Sequence, residues 1–297
     1  MAELAKNTEI ITPDADKVTP PWKEAWLSFC HNKLALLGLG IVIFFIIIAI
    51  LAPVIAPYGF REQDLAKRLL APSSEHWFGT DDFGRDIFSR ILYGARISLW
   101  VGFFAVLGSV IFGTILGIVA GYYGRWIDTI ISRIFDIMLA FPSILLAIAV
   151  VAILGPSLQN ALIAIAIINI PNFGRLVRAK VLSVKQEEYI MAARAVGMKD
   201  SRILLHHILP NSMTPIIVQS TLAIATAIIE AAALGFLGLG AQAPTPEWGK
   251  MLADSQRYLV QAPWTLFFPG LAIMLTVLGF NLIGDGLRDV LDPKMKQ

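Results

Sequence analysis

The run Leu34–Pro57, LALLGLGIVIFFIIIAILAPVIAP, holds no charged side chain. An α-helix rises about 1.5 Å per residue, so about 20 apolar residues cross the ~30 Å hydrocarbon layer of a bilayer. This run is too long for the apolar region of a secretory signal. No small-residue cleavage site follows it, and the acids and prolines of Met1–Lys33 do not resemble a signal's basic start. It reads as a retained membrane anchor. The composition agrees: 56% of residues are hydrophobic, 15% are charged and the mean hydropathy is +0.68. A typical soluble domain carries about 25% charged residues, so lipid must be part of the solvent. The net charge of +2 gives no basis for a nucleic-acid partner. The single cysteine, Cys30, excludes an intramolecular disulfide and a cysteine-built metal site.

Five further apolar runs follow: Ser98–Tyr122, Ile134–Leu154, Leu158–Leu176, Met213–Leu239 and Trp264–Ile283. The expected fold is all-α, a polytopic membrane protein with about six transmembrane helices. The fourth run is interrupted at Ile168–Asn172, INIPN, and the fifth carries Pro215 near its start. A proline there frees a backbone carbonyl, tolerated where protein or water surrounds it. Lys and Arg divide 16 to 8 between the two alternating sides, the excess lying with both termini and with the fourth-to-fifth loop. Basic loops stay cytoplasmic, so both termini are predicted cytoplasmic. The organisation expected is a cytoplasmic segment 1–33, a first span 34–57, an extracytoplasmic loop 58–97, a permease core 98–286 containing a cytoplasmic loop 177–212, and a tail 287–297.

Within that loop lies EEYIMAARAVG, Glu187–Gly197. On a helix at roughly 100° per residue, Tyr189, Ala192, Ala193, Val196 and Gly197 share one face. Glu187, Met191 and Arg194 fall on the other. Gly197 suits a helix C-cap, where left-handed backbone strains glycine least. A second short helix is expected from Ser201 to Pro210, completing a helix–turn–helix knob. An amphipathic helix lying under lipid headgroups is the competing reading. Such helices present bulky residues to lipid, and the small face favours a protein groove.

The run EYIMAARAVGMKDSRILLHHILPN resembles the EAA loop of ABC importer permeases. Ala192, Ala193, Gly197, Leu209 and Pro210 match its pattern. Met191 stands at its Glu position and His207 at its Ile position, while Glu188 lies one turn before Ala192. His76–Leu99, Arg133–Ala147, Glu230–Gly240 and Gly284–Pro293 together resemble the C-type permease subunit of dipeptide and oligopeptide importers. The resemblance spans essentially everything after about Ala25. It implies a type I ABC importer permease fold in a bacterial inner membrane. It also implies half of a translocation pathway for short peptides, worked by alternating access. Implied partners are a second homologous permease, two cytoplasmic ATPases and an extracytoplasmic substrate-binding protein. No cofactor is implied on this chain, with ATP and magnesium held by the ATPases. The coupling residues would be Glu188, Tyr189, Ala192, Ala193, Val196, Gly197, Leu209 and Pro210, and the first-loop signature Gly79, Thr80, Asp81, Gly84, Arg85 and Asp86. Nickel chelates are the rival cargo.

Asp81–Gly84 forms a D-x-x-G, but no phosphate-binding G-x-x-x-x-G-K-[ST] exists, so a nucleotide reading fails. A short interfacial helix aligning Phe83, Ile87 and Ile91 is expected instead, with Asp82, Asp86, Arg85, Arg90 and Arg96 forming exposed pairs at a receptor-docking surface. Glu230 is placed near the outer end of its span, in water or beside a structural partner. Asn169, Asn172 and Asn281 either line a polar path or bond between helices. Asp136 and Asp285 raise an intramembrane aspartyl protease, which needs two facing carboxylates. A shallow pair of Asp136 with an arginine such as Arg133 is the simpler expectation. Adjacent His206 and His207 diverge on a helix and cannot grip one metal. A secondary transporter would need an ion-coupling site and repeats, and the sequence displays neither.

Overall fold

The computed structural model describes residues 21–291. Residues 1–20 of the expected segment 1–33 and residues 292–297 of the expected tail 287–297 lie outside the described residues. The chain runs α1 (Pro21–His31), α2 (Lys33–Ile55), α3 (Ile87–Tyr123), α4 (Arg125–Leu139), α5 (Ser143–Leu154), α6 (Leu158–Val184), α7 (Glu188–Ala195), α8 (Asp200–Ile203), α9 (Leu209–Phe236), α10 (Trp248–Ser255) and α11 (Trp264–Leu291). No strand occurs among the described residues. Among the described residues five helices are long and apolar enough to span a membrane, and a bent pair, α4 with α5, makes six where the pair is counted as one span.

The bend corrects the expectation of one straight span over Ile134–Leu154. α4 and α5 meet at 97° across Ala140–Pro142. Proline lacks the N–H a helix needs and disfavours helical backbone just before it, so Phe141–Pro142 breaks the run. The opposite correction applies to INIPN. α6 continues unbroken through Pro171, which is buried against its neighbours. α3 starts eleven residues before the expected span, because Asp86 caps it: Oδ2 accepts the Ser89 N–H at 2.7 Å. α11 likewise runs on past Ile283 to Leu291.

α3 and α6 pack closely because glycine lines their contact. A Cβ on Gly117 would lie 2.5 Å from the Gly174 carbonyl oxygen, and one on Gly113 2.6 Å from the Phe173 Cβ. Gly113, Gly117 and Gly121 recur every four residues, the small-residue spacing that lets membrane helices approach. Phe135 of α4 wedges into the same seam, over Gly174. α2 lies against α11 through Gly38 and Gly279. Its buried residues Ala35, Val42, Phe45, Ala49 and Ala52 make one stripe, while Ile47, Ile50 and Val54 point out as a lipid face should.

Candidate functional site

The Glu187–Pro210 segment folds as a knob between α6 and α9. α7 stops where Gly197 takes φ +77°, and the Met198 N–H reaches back to the Ala193 carbonyl at 3.0 Å. Ile190 and Ala193 turn inward onto Val177, Val181, Ile203 and Ile208. This corrects the expected face: Ala193 belongs to the knob's own core. Exposed are Glu188, Tyr189, Met191, Ala192, Val196 and Gly197, with Leu205 beyond them. Val196 is 79% exposed, unusual for a valine at the base of a packed helix pair. The second helix also differs from expectation. α8 passes through a π-helical turn, Leu204–Ile208, directly into α9, so Leu209 and Pro210 open a long helix rather than ending a short one. Pro210 has no N–H to give the preceding turn, and it stands directly after that π-helical turn.

Tyr122, at the end of α3, fastens this knob to the spans. Its hydroxyl donates to Asp200 Oδ1 at 2.5 Å, and the Arg194 guanidinium lies 4.8 Å from its ring centroid. Its carbonyl accepts from Lys185 Nζ at 2.5 Å. One residue, through its side chain and its carbonyl, thus holds α7, α8 and the end of α6 together. Arg178 and Arg175 of α6 pair with Asp128 and Asp136 of α4. Arg133 lies farther from Asp136, at 3.8 Å. Asp136 is therefore a paired anion and Asp285 an exposed one on another helix, an arrangement without the facing acids a protease needs.

Glu230 does not stand in water. It is buried on α9 and accepts from Asn169 Nδ2 of α6 at 2.9 Å; Asn172 donates to Asn169 at 3.4 Å. This is an interhelical bond, as expected for a carboxyl inside a span. Asn281 is partly buried on α11.

On the opposite face, residues 58–86 and α10 form a cap. Phe83 sits in a turn, outside the expected interfacial helix, which begins only at Ile87. The charges are internal and not exposed pairs: Thr80, Arg85, Asp86 and Arg90 are all at most 4% accessible. Asp81 Oδ1 accepts the N–H groups of Phe83 and Arg85, and its Oδ2 meets Arg85 Nε at 2.6 Å. Arg90 donates to the carbonyls of Phe60 and Pro244. Asp86 also holds His76 Nδ1 at 3.0 Å. Gly79 and Gly84 take positive φ, and a Cβ on Gly84 would lie 1.8 Å from the Asp64 carbonyl oxygen. Arg96 is exposed on α3. Among the described residues no three His, Cys, Asp or Glu side chains converge on a metal position.

Residues 113–297 match the family described as binding-protein-dependent transport system inner membrane component. The chain belongs to that family. Residues 20–72 match the N-terminal transmembrane domain of oligopeptide transport permease C, so this permease is a C-type subunit of the dipeptide/oligopeptide group. The permease is 69% identical, over 96% of its length and 94% of the relative's, to a dipeptide transport system permease protein of Alkalihalophilus pseudofirmus. It is 53% identical, over 95% and 93%, to a glutathione transport system permease protein of Escherichia coli. Among solved structures, an inward-facing MetNI methionine ABC transporter matches with TM-score 0.55 at 20% identity, covering 69% of this permease and 97% of that chain. That likeness shows the fold, and the family and the dipeptide relative make the chain a transport permease subunit.

Proposed function

We propose that this permease forms half of the pathway by which short peptides enter a bacterial cell across the inner membrane. It pairs with a second, homologous permease. Two cytoplasmic ATPases, holding ATP and magnesium, grip the exposed side of the knob, and an extracytoplasmic binding protein delivers peptide to the cap. Closure of the ATPases moves the knobs, and the spans alternate between inward-open and outward-open. The observation that carries this reading is the Tyr122 junction. It gives the exposed knob a stiff route into α3 and α6, the two most closely packed spans. The dipeptide and glutathione relatives support a peptide cargo. The test is ATP-dependent uptake of labelled dialanine into proteoliposomes bearing the permease co-expressed with its neighbouring transport genes. Uptake that requires the ATPases and the binding protein is expected. Uptake that proceeds from an ion gradient without ATP would overturn it.

A further inference from the structure

A cavity of about 580 Å³ opens between α6, α9 and α11 on the side of the knob, and two cations, Lys180 and Arg288, line it. The other cations on this half of α6 are satisfied: Arg175 and Arg178 pair with aspartates, and Lys185 donates to a carbonyl. Lys180 and Arg288 have no acidic partner among the described residues. The wall facing them is polar in an unusual place. Asn211, Thr214 and Gln219 of α9 line the cavity beside Val218 and Leu222. Uncharged polar side chains within a span face other protein or a water-filled space, since lipid offers them no hydrogen bonds. Pro215 lines the same wall. It has no N–H to give the Asn211 carbonyl one turn back, which leaves a strong acceptor at the cavity side of α9.

We infer that this cavity is a holding site for a zwitterionic short peptide on the cytoplasmic half of the pathway. The inference rests on the peptide-importer reading above and deepens it. The carboxylate of the peptide sits between Lys180 and Arg288, where charge-assisted bonds are strongest. Its ammonium and amide N–H groups donate to the Asn211 carbonyl and to Gln219 Oε1. Leu222 and Leu291 supply an apolar wall that accepts varied side chains. The volume lies within the roughly 300–1,000 Å³ usual for small-molecule sites. Asn211 Nδ2 also donates to the Tyr189 hydroxyl of the knob at 3.2 Å, so the wall of the site is tied to the part that meets the ATPase.

The experiment uses the assembled transporter in inside-out vesicles, carrying Cys30→Ser and Val218→Cys. The readout is the rate at which a membrane-impermeant maleimide alkylates position 218. Dialanine is expected to slow alkylation, and its C-terminal amide to do so about tenfold less effectively, as for loss of one charge-assisted bond. Lys180→Gln or Arg288→Gln should raise the half-protecting dialanine concentration by about the same factor. Lys180→Arg and Arg288→Lys should restore most of it, which separates lost charge from a collapsed fold. In parallel, the wild-type transporter is assayed for ATP-driven dialanine uptake. Uptake without any protection at position 218, or equal protection by acid and amide, overturns the holding site and leaves the importer reading standing. No dialanine uptake at all overturns the peptide reading, and this inference with it.

Discussion

The cap and the knob are both connections between spans, yet they handle polar and apolar groups in opposite ways. The cap buries its charges. Arg85, Arg90 and Asp86 are almost inaccessible; carboxylate or carbonyl oxygens answer the two arginines, and the Ser89 N–H and His76 Nδ1 answer Asp86. The knob turns apolar side chains outward: Val196, Leu205 and Met191 are each more than half exposed. A buried charge network is complete in itself, because breaking any partner strands a charge. Exposed apolar side chains clustered on a small protrusion mark a surface that another protein covers. The cap is built to keep one shape, and the knob leaves apolar surface uncovered.

Gly84→Val should break this contrast most severely. It places a side chain into the Asp64 carbonyl at a φ that only glycine adopts easily. A loss above ~4 kcal/mol is expected, read as trypsin cleavage within residues 58–86 while the knob stays intact. Next is Val196→Trp. It should lower ATPase co-purification at least ~tenfold, since interface centres are intolerant of misplaced bulk. The melting temperature of the permease should barely move. Ala193→Trp, one turn away but inward, should instead unfold the knob, because overpacking a core costs about 1–3 kcal/mol or more. If both variants lose only the ATPase, the inward assignment of Ala193 fails.

Tyr122→Phe removes only the hydroxyl bond to Asp200 and should weaken the knob by about 1–2 kcal/mol. The informative readout is peptide moved per ATP hydrolysed, which should fall with the ATPases still bound. The smallest effect concerns Glu247, the N-cap of α10. Burial pushes its carboxyl above the usual range, although the N–H groups of Gly249 and Lys250 pull the other way. The folded state therefore holds this proton more tightly than the unfolded one. The contribution of Glu247 to the cap's stability is fullest below the unfolded carboxyl's range and is lost as pH rises through the raised value. The protection factors of the α10 amides, with the intrinsic pH dependence of exchange divided out, should fall over that interval in the wild type and stay flat in Glu247→Gln.

Apolar runs of about twenty residues, the glycine stop at Gly197 and the basic excess on one side were legible because each is a local signal. The bend in the third span had a local signal too, Phe141–Pro142, but hydropathy averages over it. The inward turn of Ala193 was not legible: Ala192 and Ala193 are chemically identical, and only the distant Val177, Val181 and Ile208 decide which is covered. Nor was the burial of Arg90. Its acceptor at Pro244 lies 154 residues away, and a reading confined to one loop sees only exposed charges.

The unbroken run from Asp200 to Phe236 has a mechanical meaning. Thirty-seven residues at 1.5 Å each make a rod of roughly 55 Å, anchored in the knob at one end and reaching the cap at the other. Pivoted at its middle, such a lever swings its far tip ~5 Å for every ~10° of tilt. A modest tilt imposed at the knob is thereby carried along one helix to the cap.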